Sequence, residues 1–347
     1  MIPPLLDHLW RSTLLALAMG LPAGAALAQP PANAAPSTSV APVTVQGAMP
    51  KTITTQALAF VQSRATAPNP EIGQISRWHD PVCVQVEGLA QAAQANAIKA
   101  RIESVAQSVG LPSPWGGANC KANVEIVFTD NPQGAMDEVA KRREDLLGYY
   151  HRHERDRLKT VSRPIQAWYQ TATRGGGGDN AIVAFAITPP VSSDPAATTR
   201  YHADFPGRTV GAVGVDDPET GAPTGCGDAP NFTACLTSEF VNVFIVVDSK
   251  ALQAKGIGVG VAADYLVMLA LSQPKSLDGC TALQSVLDLT ATAACPGRDR
   301  PDGLTAADAA WLTALYASDP EAKGAGERSE IANRMADILI KASTAAK

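Results

Sequence analysis

The stretch "AADYLVMLALSQP", residues 262–274, constrains the fold more than any other part of the chain. It reads as a helix that is apolar almost all round. Such a helix is stable in water only when other elements cover it on every side. The protein must therefore build a substantial core around it. One carboxylate, Asp264, lies inside this stretch. An unpaired buried carboxylate costs several kcal/mol, so Asp264 must be paired, protonated or solvated. We expect it to cap or hydrogen-bond nearby backbone; a retained functional role is the alternative.

The rest of the chain supplies the elements that a core needs. "ISRWHDPVCVQVEGL" (75–89) alternates at Val82, Val84 and Val86, the period of a strand. In 91–110, Ile98, Ile102, Val105 and Val109 fall at helical spacing and Gly110 ends the run. "NVEIVFTD" (123–130) is a second strand and 132–150 a second helix, so the domain opens β-α-β-α. "RPIQAWYQT" (163–171) reads as an edge strand because Pro164 stands near its start. "RGGGGDN" (174–180) reads as a turn, "AIVAFAIT" (181–188) as a strand, 189–235 as a loop-rich insertion and "FVNVFIVVD" (240–248) as the most buried strand. Helices near 305–317 and 325–344 close the chain. This is an α+β pattern, a mixed sheet packed against long helices with a helical C-terminal part.

Residues 1–28 have the layout of a secretory signal peptide: Arg11, a short apolar run, then Ala26-Leu27-Ala28 before the expected cleavage near Ala28. Residues 29–70, rich in Ala, Pro, Ser, Thr and Gln, read as a disordered linker, leaving 71–347 as the folded domain. Export implies an oxidising compartment, the periplasm or the exterior. There the six cysteines, Cys83, Cys120, Cys226, Cys235, Cys280 and Cys295, are expected as disulfides. Six cysteines allow 15 connectivities; pairing of sequence neighbours gives Cys83–Cys120, Cys226–Cys235 and Cys280–Cys295. The formal charge of −5 offers no footprint for nucleic acid, and no later stretch is apolar for long enough to span a membrane.

Residues 263–273 can be set against a known signature. They resemble the active-site helix of the metzincin clan of zincin metalloproteases, H-E-x-x-H-x-x-G-x-x-H. In that signature two His at i and i+4 grip one Zn²⁺ and the Glu polarises the metal-bound water. Ala263 and Val267 stand at the first two His positions, Asp264 at the Glu and Gln273 at the third His. Leu269-Ala270-Leu271 resembles the Leu-Gly-Leu that follows the second His. "LQSVLDL" (283–289) is similar to the Ser-Ile-Met segment beneath the metal, with Leu287 in place of Met. "LTAADAAWLTALY" (304–316) is similar to the Leu-Ser/Thr-x-x-Asp helix that follows. The resemblance covers about 240–318 and implies a zincin-like fold. It also implies a degenerate site, because a catalytic zinc needs about three protein ligands and Ala and Val cannot coordinate.

The remaining motifs are weaker. Gly258-x-Gly260-x-x-Ala263 is a loose dinucleotide fingerprint, but about eight residues separate it from the preceding strand, where a direct strand-to-helix turn is required. A turn or close packing is the expected use of these glycines. His151, His153 and Glu154 could hold a metal, yet they sit among Arg152, Arg155, Asp156 and Arg157 and read as a solvated face. Trp78, Trp115, Trp168 and Trp311 read mostly as core. No catalytic residue, cofactor or metal is assigned. The expectation is an exported, non-catalytic pseudo-metalloprotease with a binding or structural role in the cell envelope and an unidentified protein or peptide partner. Two alternatives stand beside it. One is a hydrolase using a non-zinc site at Asp264 or in the 189–235 insertion; the other is a structural envelope protein without a ligand.

Overall fold

The chain enters its core earlier than its composition suggests. The computed structural model describes residues 50–68, 73–113, 120–143, 158–175, 182–188, 199–201, 236–277, 280–291, 295 and 297–345. Its first element is helix α1 (Pro50–Arg64), which corrects the reading of a disordered linker over those residues. Pro50 at the first helical position has the right φ and lacks only an N–H that would be unpaired there anyway. Ile53, Ala57, Phe60 and Val61 then fall on one face and are buried. Burying Ile53, Phe60 and Val61 stabilises docking by roughly 5–9 kcal/mol as an upper bound. Residues 29–49 lie outside the described part of the chain.

The β-α-β-α opening is present: β1 (Val84–Glu87), α2 (Ala92–Ser108), β2 (Val124–Thr129) and α3 (Pro132–Arg142). Four further strands follow: β3 (Ile165–Gly175), β4 (Ile182–Thr188), β5 (Thr199–Tyr201) and β6 (Leu236–Asp248). They form one mixed sheet in the order β1-β2-β6-β3-β4-β5. β1, β2 and β6 run parallel, and β3 pairs antiparallel with both β6 and β4.

β3 is therefore interior and not the edge strand that Pro164 suggested. The proline stands just outside the strand, so the ladder loses no donor, and its carbonyl accepts a 2.7 Å hydrogen bond from Asp248 N. β5 lies within the 189–235 segment read as loop-rich; the rest of that segment, and 176–180, fall outside the described residues.

The two faces of the sheet bury different sets, as the strand period of two requires. Val124, Ile126, Ile165, Ala167, Val243, Ile245 and Val247 belong to the large core shared with the helices. Trp168, Phe244 and Val246 form a smaller cluster with Met136 of α3. Trp168 pairs with Phe244 across β3 and β6, with ring centroids 5.8 Å apart.

After β6 come α4 (Ser249–Ala254), α5 (Val259–Leu271), a 3₁₀ turn (Val286–Thr290), α6 (Ala306–Ala317) and α7 (Gly324–Ala345). α2 packs on α5, α1 on α7, and α6 on α7. The fold is α+β, with the mixed sheet and helical C-terminal part that the sequence pattern implies. All described residues fall within one compact unit, Val40–Lys347. Two disulfides staple it, Cys83–Cys120 and Cys280–Cys295, with Cα separations of 6.0 and 5.5 Å. Cys226 and Cys235 lie outside the described residues. No described helix is long and apolar enough to cross a membrane.

Candidate functional site

The path into α5 begins at the end of β6. Asp248 caps α4 by accepting a 2.9 Å bond from Ala251 N. Gly256 then takes φ of 64°, a left-handed turn that favours glycine, and Gly258 is the N-cap of α5. α4 thus separates the strand from α5, and the dinucleotide geometry is not built. A Cβ on Gly258 or Gly260 would meet nothing within 4 Å, so these glycines serve no close approach.

α5 is the enclosed helix its sequence demands. Nine of its residues are buried, Ala262, Ala263 and Tyr265 through Leu271. Three of its last four carbonyls, those of Met268, Ala270 and Leu271, accept hydrogen bonds from side chains. Ser272 Oγ donates to Met268 O at 2.7 Å, the Trp78 indole to Ala270 O at 2.8 Å and Tyr316 OH to Leu271 O at 2.8 Å. Trp78, Trp168 and Trp311 are core residues, and Trp115 lies outside the described part.

Ala263 and Val267 share one helix face by their i, i+4 spacing, and both are buried. Gln273 follows the helix end and is 1% exposed. Its carbonyl accepts from Thr66 N at 3.3 Å, while its side-chain amide has no hydrogen-bond partner among the described residues. A zinc ion requires about three N, S or O⁻ ligands. These three side chains offer one neutral amide, so the donor set does not fit the metal. Among the described residues, no three His, Cys, Asp or Glu stand together in a way that could hold one. His151, His153 and Glu154 lie outside the described residues.

Asp264 has both oxygens engaged. Oδ1 accepts from Arg101 Nε of α2 at 2.6 Å, and Oδ2 accepts from Leu304 N at 2.9 Å. Its side chain is 16% exposed and that of Arg101 26%, so water screens the pair in part. A Cβ at Gly303 would approach Oδ2 to 2.7 Å, so the glycine makes room for this bond. Asp264 pins the approach to α6 onto α5 and α2, the backbone-binding use expected of it.

Below α5 lies a denser polar arrangement. Asp308, fully buried on α6, accepts from Ser285 Oγ (2.6 Å), Val286 N (2.8 Å), Thr305 Oγ1 (2.9 Å) and Thr305 N (3.0 Å). Burial raises its pKa; the hydrogen bonds oppose the shift. One carboxylate thus caps α6 and fixes the start of the 3₁₀ turn, which packs against α5 and carries the buried Leu287. Asp288 closes the turn by accepting from Ser285 N (3.1 Å) and pairs with Arg64 of α1 at 2.5 Å. Arg64 also donates to Ser276 O at 2.9 Å.

A second buried pair joins Arg77 to Glu327 of α7. Arg77 also donates to Leu315 O (2.9 Å) and Ser318 O (3.0 Å), and Glu327 accepts from Ile75 N at 2.9 Å. Burial pushes the Glu327 carboxyl up to about 7, although Arg77 and the Ile75 amide pull the other way.

Sequence reasoning missed Arg64, Arg77, Arg101 and Glu327. Only Arg64 had a visible signal: it continues the apolar face of α1 at helical spacing from Phe60 and Val61. The chain as a whole matches no family model, no curated protein and no solved structure.

Proposed function

We propose that this is an exported, non-catalytic protein built on a zincin-like scaffold, acting in the cell envelope by binding or as a structural component. The observation that carries this reading is the convergence on α5 of two further segments, which makes three with the helix itself. The 283–289 turn packs against the helix, and α6 holds that turn through Asp308. These are the segments, in the same order, whose sequences resemble the zinc-protease elements. The non-catalytic part rests on residue chemistry. Ala263 and Val267 have no donor atom, Gln273 has a neutral one, and the carboxylate of Asp264 is occupied by Arg101 and Leu304. Export accords with the two disulfides, which persist in oxidising compartments.

Restoring the ligands tests the scaffold. The triple variant Ala263→His, Val267→His, Gln273→His is expected to take up one Zn²⁺ per chain, at least about tenfold more tightly than the unaltered protein. It should also gain thermal stability on adding zinc. Absence of zinc uptake by a folded triple variant would defeat the zincin-like reading. Elemental analysis of the unaltered protein tests the other half: one zinc per chain, located at α5 by metal-edge diffraction, would defeat the non-catalytic reading.

A further inference from the structure

A cleft of about 280 Å³ lies between the end of α4, the 284–291 segment and residues 298–301. None of the α5 frame residues lines it. Three exposed cations do: Lys255, Arg298 and Arg300. Its acidic groups are Asp288 and Asp299. Asp288 is already neutralised by Arg64 at 2.5 Å, which leaves three positive charges against one. This concentration stands on a chain whose formal charge is −5.

The two arginines are held in place by backbone carbonyls, and Lys255 supplies one of them. Arg300 Nη1 donates to Lys255 O at 2.7 Å and Arg298 Nη2 to Ala282 O at 2.8 Å. Gln284 Nε2 donates to Asp299 O at 2.6 Å. The Cys280–Cys295 disulfide closes the same segment, and Cys295 itself lines the cleft. Each guanidinium spends one donor on the wall and keeps the others of its five N–H groups for a ligand. Positioned arginines suit carboxylate and phosphate, whose oxygens accept two parallel bonds. The volume lies at the small end of ligand sites, below what a peptide or nucleotide needs.

We propose that this cleft binds a small oxyanion, a phosphate or a low-molecular-weight carboxylate, through Arg298, Arg300 and Lys255. The proposal does not rest on the zincin-like reading, and zinc uptake by the α5 variant bears on neither its success nor its failure. Titration calorimetry of the disulfide-intact protein, in chloride buffer at constant ionic strength, tests it with inorganic phosphate in one arm and succinate in the other. One saturable site per chain is expected for at least one probe, and the responding arm identifies the source chemistry. Arg298→Gln with Arg300→Gln should weaken it at least about tenfold, the scale of a lost charge-assisted contact. Lys341→Gln, a remote exposed cation on α7, should leave it unchanged. Where the double Gln variant loses its fold, Arg298→Lys with Arg300→Lys keeps the charge and removes the fork, and should weaken binding by a smaller factor. No saturable binding of either anion overturns the proposal. So does an affinity that neither Arg pair substitution alters.

Discussion

Two neighbouring regions of this molecule handle burial in opposite ways. α5 presents apolar side chains to its surroundings, and its single carboxylate sits at the margin with partial access to water. The helical layer of α1, the 3₁₀ turn, α6 and α7 buries Arg64, Arg77, Asp288, Asp308 and Glu327, each with specific partners. The comparison teaches where position is specified. Apolar packing tolerates many arrangements of comparable energy, whereas a buried charge is tolerable only where its donors and acceptors are met. The polar layer therefore fixes which turn meets α5 and in what register. The apolar helix supplies the bulk of the burial.

The largest test of this contrast is Asp308→Ala. It strands three donors, the Ser285 hydroxyl and the amides of Val286 and Thr305, while Thr305 Oγ1 keeps Gln284 O as an acceptor, and it should cost about 3–5 kcal/mol in denaturant unfolding. A cost below about 1 kcal/mol would mean that the turn is held by packing, and the contrast would fail.

Next comes pH. Glu327 titrates at about 7 in the folded protein against 4.5 unfolded. Its folded form therefore binds the proton more tightly, and this contribution to stability is full below pH 4.5. It is lost as pH rises from 4.5 through about 7. The stability difference between the unaltered protein and Glu327→Gln should fall across that window by up to about 3 kcal/mol. A flat difference would show that Arg77 holds the carboxylate ionised throughout.

The smallest effect is expected at the margin of the apolar region. Asp264→Ala removes a screened ion pair and one amide contact, and should cost about 1–2 kcal/mol by thermal or chemical unfolding. A loss as large as that of Asp308→Ala would place Asp264 with the buried charges and erase the distinction between the regions.

The elements that reveal themselves in sequence are those whose burial follows a local period. β1, α2 and β2 do so, as do the two C-terminal helices, because each carries its core face at spacings of two or 3.6 residues; α5 is legible instead as an unbroken apolar run. α1 was obscured because Thr, Gln and Ala dilute its apolar face, although Ile53, Ala57, Phe60 and Val61 keep the helical interval. β3 was misplaced for a related reason. Pro164 signals an edge only if it lies inside the ladder, and whether it does depends on where pairing with β6 begins. At the candidate site, Asp264 was legible as a carboxylate that needed a partner. Its partners, Arg101 and Leu304 N, lie 163 and 40 residues away and carry no local mark.

By itself, then, the sequence determined that an apolar helix must be enclosed, that the chain is α+β, and that the 263, 267 and 273 positions offer no ligand set for zinc. These follow from side-chain chemistry and from periods within a dozen residues. Only the tertiary structure decided that α1 belongs to the core and that β3 lies inside the sheet. It alone joined Arg64 to Asp288 and Arg77 to Glu327, and gathered Lys255, Arg298 and Arg300 around one cleft. Hydrogen bonds and ion pairs act over a few ångströms in space, so partners separated by more than 200 residues, as both these pairs are, meet only once the chain has folded.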